Sequence, residues 1–437
     1  MNIVIKKEVQ EIIDIIEKNG HSAYIVGGAV RNQLLGIPVK DWDLTTNAKP
    51  DTIQEIFEKN NIITIPTGIE HGTITVCYKG LNIEVTTYRI DGNYSDGRRP
   101  DSVEFVNNLK EDLARRDFTI NALAYNRRTG IVDYFGGLKD LEDKKIRCVG
   151  SPKERFSEDA LRMLRAIRFE NTLDFDIEEK TLKSIYSSLK QIANVSMERV
   201  QQELNKILST KKAIKHFDTI IIMFPSLFKK KDMYRKVYEC NLLIEEMQND
   251  NFVRNLTTFF LYDIVNIDFL KQLKYSKSIA NAVMDTLECY KIIEEKYFIF
   301  LRNDIGDIKY NIKQQLLSKF SDEIISNAIA IFQSKNNIMT KTLLSVTSFL
   351  KIIKRNNEPV ELKDLAINGD DLLEYGFQGV IIGDLLKTLL SHVWSCPEKN
   401  SKDLLLDFMG MGKEEKNATK SKKSAKENKS ERKRSKE

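Results

Sequence analysis

The chain has 437 residues, 41% hydrophobic and 30% charged, the composition of a globular protein with two to four structural units and ample core. Its net charge of +5 is concentrated at the end: residues 413–437 carry eleven Lys/Arg against five Glu, leaving 57 basic and 58 acidic residues elsewhere. A near-neutral folded part excludes a global field as the means of holding nucleic acid, and no run of eighteen apolar residues exists to cross a membrane.

Residues 1–20 read as a short amphipathic helix interrupted by charges, not as a signal peptide. The five cysteines (Cys77, Cys148, Cys240, Cys289, Cys396) form no Cys-x-x-Cys pair, so neither a zinc site nor a disulfide framework is expected, and a reducing cytoplasm is. Residues 23–26 read as a strand, Gly27-Gly28 as a tight turn and 29–35 as a helix start. That order makes a phosphate cradle, because glycines admit close backbone approach and the first helical amides are free. If 41–44 is a strand, Asp41 and Asp43 share one face and Trp42 takes the other. Two carboxylates on one pleat face suit Mg²⁺, which keeps part of its coordination for substrate phosphates. Cradle and carboxylates together are the machinery of phosphoryl or nucleotidyl transfer.

Further along, Ile62–Ile65, Thr73–Tyr78, Leu81–Tyr88 and Val103–Phe105 read as strands, with a hairpin turn at Lys79-Gly80. Helical spacing covers 6–18, 52–59 and 117–124. The polar loop 91–100 holds Arg98 and Arg99 and is either a surface connection or a moving part of the site. Arg115 and Arg116 stand directly before the 117–124 helix, with Asp117 as its N-cap; they suit triphosphate or ribose contacts, or a surface salt-bridge network. Asp133–Leu141 reads as a turn that closes this α/β unit, with a structural rather than chemical part. From about residue 150 helical spacing dominates, beginning with 154–170. There Asp159, Arg162, Arg165 and Arg168 form one i, i+3 row, which is either a solvated face or a row for an anionic partner. Three arginines beside one aspartate favour the anion. The apolar-free basic end past residue 412 should be disordered, serving as a solubilising end or a weak phosphate-binding arm.

In this order the motifs resemble those of the class II tRNA nucleotidyltransferases, the CCA-adding enzymes and bacterial poly(A) polymerases of the DNA polymerase beta superfamily. The segments are Gly27-Gly28-x-Val30-Arg31, Asp41-x-Asp43, the run Arg115–Ala122, the Asp133–Leu141 turn, Glu158-Asp159-x-x-Arg162-x-x-Arg165 and Ser196-x-Glu198-Arg199-Val200-x-x-Glu203-Leu204. Asn368-Gly369-Asp370-Asp371-Leu372 with Ile382-Gly383 extends the likeness to about residue 410. One departure is Asn32, where the family has Asp; it keeps the hydrogen-bonding shape and loses the charge.

The resemblance implies an α+β fold: a nucleotidyltransferase head with a mixed sheet over residues 1–147, then an elongated all-α neck (148–212), body (213–300) and tail (301–410); the basic end at 411–437 is outside the likeness and is expected to be disordered from its composition. It implies attack of a tRNA 3′-hydroxyl on the α-phosphate of CTP or ATP, with pyrophosphate leaving. Asp41 and Asp43 would hold Mg²⁺, with Glu84 as a third carboxylate. Gly28 and Arg31 would contact triphosphate, and Arg116 with Asp117 phosphate and sugar. Asp159 and Arg162 would read the base, supported by Arg165 and Arg168. Cytosine and adenine both show an amino donor beside a ring-nitrogen acceptor, and guanine and uracil reverse the pair. A carboxylate beside a guanidinium therefore accepts C and A, and each mispaired group costs about 1–3 kcal/mol. The intact loop 91–100 and the segment 67–76 look more like CCA-adding enzymes. The alternative is a poly(A) polymerase or A-adding enzyme of the same family, favoured only by the basic end. An inactive RNA-binding protein on this fold is opposed by the intact aspartate pair. The four histidines are never followed by Asp, which sets aside a fused phosphohydrolase, and each reads as a surface or capping residue.

Overall fold

A strand, a glycine turn and a helix open the fold, as the sequence predicts: β1 (Ala23–Val26) runs through Gly27 into α2 (Gly28–Leu34). The computed structural model describes residues 3–92, 102–247, 251–302, 305–336 and 341–411. Two compact units divide the chain, one of Met1–Asn255 with Tyr262–Ser276 and one of Leu256–Leu261 with Lys277–Glu437.

In the first unit, α1 (Lys7–Lys18) precedes β1 and buries Val9, Ile12, Ile13 and Ile16, the stripe a 3.6-residue period places on one side. After α2 come β2 (Asp43–Thr46) and α3 (Pro50–Lys59), the latter started by a proline that needs no amide partner there. Then follow β3 (Ile63–Gly68), β4 (Thr73–Tyr78), β5 (Leu81–Thr87), β6 (Arg89–Asp91), β7 (Val103–Phe105) and α4 (Leu109–Ala114). The unit's sheet is completed by β8 (Leu123–Asn126) and β9 (Gly130–Asp133). Seven strands lie in the order β3-β4-β5-β2-β1-β8-β9, while β6 and β7 pair separately. Only β2 and β5 are parallel in the seven-stranded sheet, and their register sets Asp43 opposite Glu84 and Thr45 opposite Thr86. Alternation buries Leu44, Ile83 and Val85 and leaves Asp43, Thr45 and Glu84 on the other face. Over that second face Tyr88, Val26, Leu109 and Leu113 form a small core, which fixes α4 there.

The sequence pattern misplaces one head element. Residues 117–124 are not a helix: Thr119–Asn121 make a single 3₁₀ turn with Phe118, not Asp117, at its cap, and β8 follows at once. Polar and apolar residues alike are buried from Asp117 to Ala124, so the run lacks the solvent face that an amphipathic helix would show.

After α5 (Gly137–Glu142) and β10 (Lys145–Ile146), the remainder of the unit is almost wholly helical. A helix expected over 154–170 is two, α6 (Pro152–Glu158) and α7 (Leu161–Leu173), broken where Asp159 is extended (φ −146°, ψ 103°). The Asp159 carboxylate accepts the Leu161 amide at 3.1 Å, a local bond that competes with helix continuation. β11 (Asp176–Ile177), paired with β10, leads to α8 (Glu179–Ser188) and α9 (Met197–Leu208). In the second unit the α-helices from Lys277–Arg302 to Val380–Ser395 follow the helical spacing of the sequence, and Lys402–Phe408 is a helix that the spacing does not predict. A core of Leu365, Ile367, Leu372, Leu389, Leu390, Val393, Leu405 and Leu406 holds its last three helices together.

Candidate active site

A cleft of about 350 Å³ opens over the exposed-carboxylate face of the sheet. Head residues lining it are Gly27, Gly28, Asp43, Arg115, Arg116, Asp117 and Asn121; Asp159, Leu161, Arg162, Arg165 and Arg199 come from the helical part. The structure thus gathers seven of the ten candidate residues. Asp41, Arg31 and Arg168 do not line the cleft.

Gly27 has φ +68°, a left-handed conformation that glycine alone enters without strain, and a side chain there would meet the Arg116 guanidinium at 3.1 Å. The turn therefore presents bare backbone to the cleft beside a cationic fork. Asp43 begins β2 and accepts no hydrogen bond among the described residues. Burial raises its pKa, repulsion from Glu84 and Asp41 adds to this, and Arg116 opposes it. The strand expected over 41–44 is Asp43–Thr46 instead, so Asp41, exposed, and Trp42, buried, precede it and the strand alternation expected of the two aspartates does not extend to Asp41. Among the described residues no three His, Cys, Asp or Glu side chains converge as a preformed metal cluster.

Arg115 and Arg116 leave the end of α4. Arg115 donates to Asp112 Oδ1 through Nε and Nη2 at 3.0 and 2.8 Å, and Arg116 Nη2 reaches Asp112 Oδ2 at 3.4 Å. Asp117 is buried; its Oδ1 accepts the Phe118 amide and Asn121 Nδ2, and its Oδ2 accepts two donors from Arg165 at 2.9 and 2.5 Å. Burial works against this charge, but Arg165 and the hydrogen bonds hold the carboxyl below its usual range.

Each arginine of the α7 row has its own carboxylate. Arg162 pairs with Glu158 at 2.5 Å, Arg165 with Asp117, and Arg168 Nε lies 2.9 Å from Glu203 of α9. Counting three arginines against one aspartate is therefore corrected: their partners come from three other elements. Asp159 is also off the row, because it lies in the break before α7, where Arg199 of α9 grips both its oxygens at 3.2 and 2.7 Å. Arg162 and Arg165 still face the cleft. Arg168 turns away, its guanidinium 3.9 Å over the Phe169 ring, and burial with repulsion from Arg165 pushes its pKa down to about 10.

Arg31, expected at the triphosphate, lies beneath the glycine turn. It is buried against Phe169, forks onto Asn32 Oδ1 at 3.1 and 2.8 Å and donates to Asn121 at 2.5 Å. It thereby fixes Asn121, which does line the cleft and in turn holds Asp117. Burial and repulsion from Arg168 lower its pKa to about 10. The Asp133–Leu141 turn has the structural part expected of it. Asp133 accepts the amides of Phe135, Gly137 and Leu138, and a side chain on Gly137 would come within 2.3 Å of the Thr119 carbonyl. Sequence reasoning gave no role to Asp112, Asn121, Arg199 or Glu203, although all four stand inside or next to the quoted motifs. Residues 93–101 of the polar loop lie outside the described residues.

A mixed sheet that aims a carboxylate strand and cationic forks into one cleft, lined on its helical side by Asp159, Arg162, Arg165 and Arg199, is the arrangement of a nucleotidyltransferase. Residues 23–147 match the poly A polymerase head domain, 174–221 the probable RNA and SrmB-binding site of polymerase A, and 254–409 a putative domain 2 of tRNA nucleotidyltransferases. The CCA-adding enzyme of Ligilactobacillus salivarius is 34% identical over 411 residues, 92% of this chain and 95% of that one. That of Staphylococcus epidermidis is 33% identical over 418 residues, 94% and 98% of the two chains. The solved structure of the Bacillus stearothermophilus CCA-adding enzyme in complex with CTP has a TM-score of 0.73 at 26% identity, covering 96% of this chain and 100% of that one. The chain belongs to the CCA-adding enzyme family.

Proposed function

We propose that the protein adds C, C and A to the 3′ end of tRNA from CTP and ATP, without a nucleic-acid template, releasing pyrophosphate. The observation that carries this reading is the single cleft in which Asp43, Arg116 and Asp117 face Asp159, Arg162 and Arg165. The Gly28 amide at the start of α2 with the Arg115 and Arg116 forks would receive the triphosphate, the Gly27 amide being held by the Leu123 carbonyl at 3.2 Å. Asp117 and Asn121 would take the sugar side, held in place by Arg165 and Arg31.

The carboxylate strand fits Mg²⁺. Asp43 lacks a hydrogen-bond partner among the described residues and is repelled by Glu84 and Asp41, a surplus of negative oxygen that a divalent cation would relieve. Asp41 and Asp43 would be its ligands, with Glu84 as the third carboxylate. When bound, the metal would make the RNA 3′-hydroxyl a better nucleophile and stabilise charge on the leaving oxygens. Asp159 and Arg162 would read the amino group and ring nitrogen shared by cytosine and adenine. Both are held by bonds of their own, to Arg199 and Glu158, before a base arrives; Asp159 Oδ1 already accepts from the Leu161 amide and Arg199, and Oδ2, with one donor, keeps a lone pair for the base.

The domain arrangement proposed with this function is a head at 1–147, neck at 148–212, body at 213–300, tail at 301–410 and a basic end at 411–437. The matches at 23–147, 174–221 and 254–409 support that order. We place the reaction in the cytoplasm, where tRNA and a reducing pool for the five free cysteines are found. No helix among the described residues is long and apolar enough to cross a membrane. The test is incubation of tRNA ending before CCA with Mg²⁺ and labelled CTP or ATP. Ordered addition of C, C and A is expected; uptake of ATP alone in long runs rejects this function in favour of a poly(A) polymerase.

A further inference from the structure

Asp112 has no part in the reaction as described, yet it is a fully buried carboxylate directly under the cleft. Such a charge persists inside a protein only when it is paired and hydrogen-bonded. Here it takes donors from three residues: two from Arg115, one from Arg116, and the Thr45 hydroxyl, whose single proton is shared at 3.1 Å between Asp112 and the Thr86 carbonyl. Thr45 stands two residues beyond Asp43 on the same face of β2. Arg116 in turn packs against the glycine turn and opposes the charges on Asp43. The next carbonyls of this helix end, Ala114 and Arg115, accept from Arg155 Nη1 at 3.2 Å and Arg162 Nη2 at 3.3 Å. One turn of backbone therefore touches the carboxylate strand, both cationic forks and a base-facing arginine.

We propose that Asp112 is a positioning residue for nucleotide binding, which locks the Arg115 and Arg116 forks in register with the Asp43 strand through Thr45. Without this anchor both forks lose their Asp112 bonds, Arg115 keeping its pairing with Asp91 at 3.7 Å, and the surrounding apolar core of Leu109 and Leu113 is untouched. The role rests on the nucleotidyltransferase reading.

The test is calorimetry of CTP and of ATP, each with Mg²⁺, on the full chain. Asp112→Asn keeps the shape and removes the charge; it is expected to weaken both nucleotides about tenfold or more, since charge-assisted bonds are the strong ones. Binding of tRNA, measured by filter retention, should stay within about twofold, because only the forks are loosened. Thr45→Val leaves the ion pairs and cuts the tie to β2; it is expected to weaken nucleotides about threefold, less than Asp112→Asn because the arginine pairs remain. A purely structural Asp112 would lower the melting temperature without moving nucleotide affinity of the folded protein, and unchanged affinity in Asp112→Asn overturns the proposal. Should that variant fail to fold, Thr45→Val decides: unchanged affinity there overturns it as well. Extension of tRNA by the wild-type chain is measured in parallel, so a chain that binds nucleotides but adds none counts against the function and not against the anchor.

Discussion

Arg199 reaches from α9 to Asp159 and holds both carboxylate oxygens, so the residue proposed to read the base is itself oriented by a guanidinium on another helix. Asp159 sits in an extended break between α6 and α7, where the backbone ties only one carboxylate oxygen, through the Leu161 amide. A bidentate arginine fixes both distance and plane.

Arg199→Met should therefore blur nucleotide choice much as Asp159→Ala does. Selection of CTP and ATP over UTP and GTP is expected to fall on the order of tenfold, about 1.4 kcal/mol, while extension with CTP continues. Single-nucleotide incorporation with each of the four triphosphates measures it. Selection that stays intact in Asp159→Ala would remove the base-reading assignment altogether.

For the carboxylate strand the expectation is loss of chemistry without loss of substrate. Asp43→Ala should reduce incorporation by more than about 100-fold, as removal of a group that stabilises transition-state charge does. Binding of tRNA should stay nearly unchanged, because Asp43 borders only the nucleotide cleft. Asp41→Ala is expected to act the same way through the same cation. Primer extension and filter binding on one preparation separate the two effects, and a variant that still extends tRNA at the parental rate would remove its aspartate from the metal site.

How far the sequence reached is visible in these same residues. The glycine turn, the Asp-x-Asp strand and most helices of both units could be read because their signals are local, a period or a turn residue within a few positions. Asp43, Arg116, Asp117, Asp159, Arg162 and Arg165 were all named from motifs and do share a cleft. What could not be read was pairing across distance. Glu203 lies 35 positions from Arg168 and Asp112 lies 67 from Thr45, so no spacing rule shows either contact. The burial of Arg31 was hidden for the same reason: its contact with Phe169 depends on α7 packing over α2. The helix expected over 117–124 failed differently, because its short apolar run fits either period until the sheet claims it.

Asn32 gives a stability prediction. The buried Arg31 fork now rests on two neutral amides, Asn32 and Asn121, while Arg168 and Arg165 repel it. Asn32→Asp supplies a carboxylate of the same shape at the same bonds. It should stabilise the fold by about 1 kcal/mol, the gain in passing from a neutral to a charge-assisted bond. Thermal unfolding near neutral pH should show the rise, with incorporation retained. A lower melting temperature would mean that the carboxylate is desolvated more than Arg31 compensates.

A pH dependence is built in where α7 ends. His216 Nδ1 lies 2.7 Å from Oε2 of Glu170, a buried carboxylate, and this bond raises the histidine pKa above 6.5, aided by Asp218 and opposed by partial burial and Lys215. A group whose folded pKa lies above its unfolded value stabilises fully below the unfolded value and loses that contribution as pH rises through the folded one. Stability from this pair should thus be complete below about pH 6 and decline from there through the raised folded value. His216 has φ +50°, a conformation Asn tolerates, so His216→Asn removes the titrating ring without straining the backbone. Melting temperatures of the two proteins should differ most at pH 6 and converge by pH 9 as the wild-type ring loses its proton. A difference that grows with pH would show that Glu170 is held by the neutral ring instead.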